Sequence, residues 1–274
     1  MGYKVYIASP GLMRPFAVDR ALYECTRKHN ATLHSHDTAW DGFNAMWADA
    51  LNSLADGFTH FAMLHSDVVP EDDPRWLDTL IDELDRLDAD LVSTHVALKD
   101  ERGLTSSGIG DPANPWAPHR RFTMREILAF PETWNAADAG YGAGKYLLHN
   151  TGCWACDLRK PCFHKLNADG SLAFWFDFPR RVVMDFPRKA VQDKDGTWHT
   201  EIGAVKQWCV QVESEDWFFS RKLYETGAKT FITRKVRLRH YGPQGWCNWE
   251  PWGTYLNGDE DLAWKWREGN LKKE

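Results

Sequence analysis

The stretch HFAMLHSDVVPEDDP, residues 60–74, decides how this chain is read. Phe61 to Leu64 is an apolar run of strand length, and it stops at once in His65, Ser66 and Asp67, followed by a proline and more acids. Open parallel sheets bind their ligands beyond the carboxyl ends of their strands, so an imidazole and a carboxylate at such an end suggest chemistry. Two apart in an extended backbone, His65 and Asp67 face the same side. Together they suit a hard-to-borderline divalent cation, Mn²⁺ or Mg²⁺, with ligand phosphates and water filling the other positions. A turn acid beside a hydrogen-bonded histidine is the plainer alternative.

Working outward, residues 3–8, YKVYIA, form a first expected strand, broken by Ser9-Pro10-Gly11. A helix follows with Phe16, Ala17, Ala21, Leu22 and Cys25 along one face, then a short strand at ATLHSH. Residues 41–55 place Phe43, Met46, Trp47, Ala50, Leu51 and Leu54 in one helical stripe. Asp73 and Pro74 look like the N-cap and first position of a helix carrying Leu77, Leu80, Ile81, Leu84 and Leu87. DLVSTHV is the next strand. Strands alternating with helices imply a mostly parallel sheet with right-handed crossovers.

Regularity fades after residue 100. Residues 101–150 are rich in Gly, Pro, Asn and Trp, with one helix opening on a capping box from Thr123 to Glu126. TGCWACDLRK, residues 151–160, reads as a strand, and 170–212 as scattered strands and turns. ESEDWFFSRKLYETG is a helix ended by Gly227, and KTFITRKVRLRHYG is one strand ending at His240. There is no internal repeat or low-complexity linker, so residues 1–274 read as one α/β domain with an elaborated C-terminal half.

The totals exclude several classes. Six cysteines in 274 residues do not make a disulfide scaffold. The N-terminus lacks the apolar core and cleavage site of a signal peptide, and no apolar run of membrane-spanning length exists. The expectation is a cytoplasmic protein with reduced thiols and no membrane span. Net charge is −6, divided as −9 over residues 1–150 and +3 over 151–274. Fifteen tryptophans supply flat apolar faces that serve a core or stack on sugars and bases.

Two further segments carry chemistry. Glu213, Glu215 and Asp216 open an amphipathic helix, where acids complement the helix dipole. Phe218, Phe219 and Leu223 press that helix onto a core, so an acid that points into a cleft would have its pKa raised toward a base's working range. His240 ends a strand and, with Asp67, would complete a two-residue clamp on a metal. Cys153, Cys156, Cys162 and His164 invite a zinc reading, but the spacing is not a common finger pattern and small buried cysteines are the better reading. His199-Thr200-Glu201 lacks the downstream cysteine pair of a deaminase, and SPGLMRP lacks the glycines of a dinucleotide fold.

In order, FTHFAMLHSDVVPED, NTGCWACDLRKPCF and SEDWFFSRKLYETGAKTFITRKVRLRHYG resemble the motifs of GT-A fold glycosyltransferases that use nucleotide-sugar donors. The likeness covers roughly residues 3–242 in element order, with its specificity in 60–70, 149–158 and 213–242. It implies a GT-A (Rossmann-like) sheet, a nucleotide-binding half over 1–100 and an acceptor-binding half over 101–274. Asp67 would be the metal-binding aspartate of the D-x-D motif, with His240 the downstream ligand and His65 a departure at the motif's first position. Asp216, with Glu215 beside it, would be the catalytic base of an inverting transfer. Ser9, Pro10, Asp37, Asn44 and Ser66 would meet the donor. Thr151, Gly152, Trp154 and Trp217 would meet the acceptor or the sugar.

The resemblance therefore implies a transferase that takes Mn²⁺ (or Mg²⁺) and moves a sugar from a nucleotide-sugar donor, a UDP-sugar, to a hydroxyl on a glycan, a protein or a hydroxymethylated DNA base. Sixteen basic against ten acidic residues between Arg159 and Arg239 keep nucleic acid among the acceptors. The alternative is a non-enzymatic carbohydrate-binding protein, which would need neither metal nor nucleotide.

Overall fold

Strict alternation along short apolar strands forces their side chains to opposite faces, and here both faces are covered. In the computed structural model, which describes residues 3–11, 16–28, 30–36, 40–71, 75–196 and 198–253, the chain begins β1 (Lys4–Pro10), α1 (Phe16–Lys28), β2 (Asn30–His36), α2 (Trp40–Asn52), β3 (His60–Leu64), β4 (Val68–Pro70), α3 (Trp76–Leu87) and β5 (Leu91–Thr94). It continues through β6 (Leu104–Gly110), β7 (Arg120–Thr123), α4 (Met124–Ala129), β8 (Thr133–Trp134), β9 (Tyr146–Leu148) and β10 (Cys153–Asp157). The remainder is β11 (Arg180–Asp185), β12 (Arg188–Gln192), β13 (Trp198–Ile202), β14 (Gln207–Val212), α5 (Glu215–Thr226), β15 (Thr230–Thr233), β16 (Leu238–Tyr241) and β17 (Gly245–Cys247).

Seven strands form the central sheet in the order β2-β1-β3-β10-β5-β15-β8. Five run one way; β10 and β8 run against them. Val5, Ile7, Ala62, Leu64, Cys153 and Ala155 face one core, shared with Leu22 of α1 and Leu77, Leu80, Ile81 and Leu84 of α3. Tyr6, Ala8, Phe61, Met63, Trp154 and Cys156 face the other, shared with Phe43, Met46 and Trp47 of α2 and Phe219 and Leu223 of α5. This is a mixed α/β architecture: a mostly parallel sheet with helices on both faces.

Three expectations are corrected. The run from Lys229 to Gly242 is two strands: β15 joins the central sheet beside β5, whereas β16 turns away to pair with β4 and β17. TGCWACDLRK is strand only from Cys153, and it lies antiparallel between β3 and β5. The irregular-looking 101–150 region contains a three-stranded sheet in the order β7-β6-β9, and every residue of β6 is buried. The Thr123 capping box is formed as the sequence suggests. Asp73 and Pro74 lie outside the described residues.

Candidate functional site

Beyond β3 the backbone leaves the extended form. A turn closed by the Val68 N–H on the His65 carbonyl (3.2 Å) carries Ser66 and Asp67. β4 then pairs antiparallel with β16, with Val68 opposite His240, and the Tyr241 N–H donates to the Asp67 carbonyl at 2.8 Å. That pairing brings two side chains 173 positions apart to one rim: His240 Nε2 lies 3.5 Å from Asp67 Oδ2. His240 Nδ1 is 2.8 Å from the Ala97 carbonyl, an acceptor, so Nδ1 carries the proton. In the neutral ring Nε2 then presents a lone pair toward a carboxylate, an arrangement that only a proton or a cation between them makes favourable.

The ammonium of Lys99 also sits on Asp67 Oδ2. Burial would raise the Asp67 carboxyl, but hydrogen bonds from His240 and Lys99 overcome this and hold it well below the usual carboxylate range. Among the described residues no group of three or more His, Cys, Asp or Glu side chains could hold a metal; Asp67 and His240 meet there as a pair. A donor set of one carboxylate oxygen and one imidazole nitrogen fits a divalent ion whose other positions are filled by phosphate and water.

His65 does not share that direction, because a turn and not a strand follows Leu64. Its ring packs on Phe43 at 5.3 Å, its backbone N–H donates to the Gly152 carbonyl at 2.8 Å, and its ring Nε2 is buried without a partner. Burial lowers its pKa to about 4, so the ring is neutral.

The acid at the start of α5 is held by the TGC turn. Asp216 Oδ1 accepts from the Thr151 N–H (2.8 Å) and hydroxyl (2.7 Å), and Oδ2 accepts from the Asn150 amide at 3.1 Å. Asn150 Oδ1 in turn accepts the Gly152 N–H at 2.6 Å. A methyl group on Gly152 would stand 2.5 Å from that oxygen and 3.0 Å from Val68 Cγ2, so only glycine lets the turn close. Burial raises the Asp216 pKa against the pull of Thr151, His240 and Asn150. Glu215 is pushed up to about 8, by burial first and then by the charge of Asp216. Near neutral pH Glu215 therefore holds its proton, and the two acids share one buried, strongly interacting environment.

On the donor side, Ser9 and Pro10 are buried at the end of β1, and the Ser9 hydroxyl has no partner. Gly11 lies against Ser66: an added Cβ would be 2.8 Å from its Oγ, so the β1 loop and the acid turn touch. Asn44 is spoken for; its amide accepts from and donates to the Phe176 backbone at 2.9 and 2.8 Å. Asp37 lies outside the described residues.

On the acceptor side, Thr151 and Gly152 shape the turn, as above. Trp154 is fully buried, packed between Phe61 and Phe219 at 4.9 Å each, and shows no face to a ligand. Trp217 lies under the Arg121 guanidinium (5.3 Å) and lines a cavity of about 450 Å³ with Trp116, Trp208, Gln207 and Gln211. Cys153 and Cys156, three apart in a strand, point to opposite cores, and burial raises both thiols, so they cannot share a zinc ion. Lys99 sits in ALKD, which carries no periodic or motif signal, and Asn150 opens the NTGC motif stretch without any sign in the sequence that its amide meets Asp216.

No protein-family profile matches the chain, and neither does any curated protein. Among solved structures it is similar to "Crystal Structure of A197 from STIV", at 13% identity and a TM-score of 0.45, over 88% of this chain and 86% of that one. It is also similar to "Crystal structure of putative UDP-N-acetylglucosamine pyrophosphorylase from Entamoeba histolytica", at 10% identity and a TM-score of 0.30, over 83% of this chain and 57% of that one. Likenesses this loose carry neither a fold family nor an activity to this chain. Among the described residues no helix is long and apolar enough to cross a membrane.

Proposed function

We propose that this chain is a metal-dependent GT-A glycosyltransferase that moves a sugar from a nucleotide-sugar donor, a UDP-sugar, to a hydroxyl acceptor with inversion. One observation carries the reading: Asp67 Oδ2 and His240 Nε2 face each other at 3.5 Å, beside the turn that holds Asp216. Asp67 and His240 would hold the divalent ion. When bound there, such an ion offsets the negative charge that develops on a departing nucleoside diphosphate.

The protein's own groups supply the rest. Oδ1 of Asp216 is filled by two donors, whereas Oδ2 has one, at 3.1 Å, and keeps a lone pair for a proton. An acceptor hydroxyl donating to Oδ2 becomes a better nucleophile, a contribution of about 10²–10⁴-fold for a positioned base. Burial keeps Asp216 more basic than an exposed carboxylate, while its three donors fix its orientation. The buried Ser9 hydroxyl, the β1 loop and Ser66 would line the donor's approach. The cavity of Trp116 and Trp217 would take the acceptor, with apolar faces for a ring and the amides of Gln207 and Gln211 for hydroxyls.

A screen of nucleotide-sugars with and without Mn²⁺, read by release of nucleoside diphosphate, tests this. Metal-dependent release from at least one donor is expected. Sugar binding with neither metal dependence nor nucleotide affinity would favour a carbohydrate-binding protein instead.

A further inference from the structure

Lys99 belongs to no motif, yet its ammonium occupies the carboxylate oxygen that faces His240. Its approach is built into the fold. The residue follows β5, and its stem lies across Gly242, where an added Cβ would be 3.3 Å from Lys99 Cδ and 3.6 Å from its Cβ. Any other residue at 242 would crowd the lysine's path to Asp67. Both partners remain about a third exposed, at 35% and 38% of their side-chain surface. An ion pair that wet is weak and easily exchanged. Its four-carbon stem lets a lysine ammonium swing between acceptors at little expense.

We propose that Lys99 is a resident counter-ion: it neutralises Asp67 while the metal is absent, and moves to the diphosphate of the donor when a divalent ion takes Asp67 and His240. The inference rests on the metal-clamp reading above. Asp67 Oδ2 cannot serve the ammonium and a divalent ion equally well, because the two cations repel. The oxygens that arrive with a diphosphate are the nearest new anions, and a charge-assisted hydrogen bond from Lys99 to them would replace the one it gives up. The same side chain thus weakens metal binding alone and strengthens diphosphate binding once metal is present.

Opposite signs make this testable by calorimetry on the whole chain, with Mn²⁺ alone and then UDP at saturating Mn²⁺. Lys99→Met is expected to tighten Mn²⁺ binding by about two- to fivefold, the worth of an exposed ion pair. It should weaken UDP binding by about tenfold or more, the worth of a hydrogen bond between charged groups. Lys99→Arg should restore most of the UDP affinity. Unchanged or weaker Mn²⁺ binding in Lys99→Met, or unchanged UDP binding, overturns the proposal. Asp67→Ala separates the two ideas: if it still binds Mn²⁺, the clamp itself is wrong. If it loses Mn²⁺ while Lys99→Met behaves as wild type, only the counter-ion role falls.

Discussion

Replacing Thr151 with valine isolates one hydrogen bond at the proposed base. Thr151 is wholly buried, so valine keeps the shape and the backbone donor and removes only the hydroxyl that reaches Asp216 Oδ1 at 2.7 Å. A hydrogen bond to a charged acceptor contributes about 1.5–3 kcal/mol. Its loss raises the Asp216 pKa further, because the hydroxyl favours the charged form. Burial already sets the folded pKa above that of the unfolded chain, so the folded state binds this proton more tightly. This group's contribution to stability therefore falls as pH rises through that window, and a further rise in the folded pKa steepens the fall. The deficit of Thr151→Val should be small where Asp216 is protonated and should grow toward the full 1.5–3 kcal/mol, roughly, at alkaline pH. Urea unfolding of both proteins across the range from about pH 4 to pH 9 measures it directly. A deficit below about 0.5 kcal/mol, or one independent of pH, would refute the proposed Thr151–Asp216 coupling.

Asp216→Asn should abolish sugar transfer while leaving nucleoside diphosphate affinity nearly intact; near-normal turnover would remove Asp216 as the base. Trp154→Ala should cost about 3–5 kcal/mol of stability with no selective loss of ligand affinity, because the side chain is core. Asn44→Ala should likewise act on stability, by releasing the Phe176 backbone; a selective loss of nucleotide affinity at unchanged stability would return Asn44 to the donor site.

Much of the architecture was legible because local pattern and tertiary role agree. In β3 a continuous apolar run marks a strand buried on both faces, in α3 the helix period marks the buried stripe, and Thr123 and Gly227 cap their helices by local chemistry. Partner choice is a different matter. Nothing in CWACD says that this strand will run against β3 and β5. The apolar pattern carries on through Val236 and Leu238, so the switch of β16 to another sheet leaves no mark. β6, LTSSGIG, falls where regularity fades after residue 100; inside, Thr105 and Ser106 satisfy their buried hydroxyls by donating to the Phe122 and Val96 carbonyls.

The site divides in the same way. Asp67, His240 and Asp216 stand out as acids and histidines at element ends. Trp154 looks like a sugar platform beside TGC, but strand alternation turns it into the core. The contact of Lys99 with Asp67 spans 32 positions and that of Asn150 with Asp216 spans 66, distances over which a single sequence gives no signal.

The central claim is that Asp67 and His240 form one half of a metal–diphosphate site. Thermal unfolding with UDP and Mn²⁺, together and singly, for wild type and His240→Ala tests it most directly. The account predicts a joint shift of roughly 5 °C or more in the wild type near a hundredfold excess over Kd, far above the sum of the single additions, and its loss in His240→Ala. A joint shift that survives in His240→Ala would contradict it.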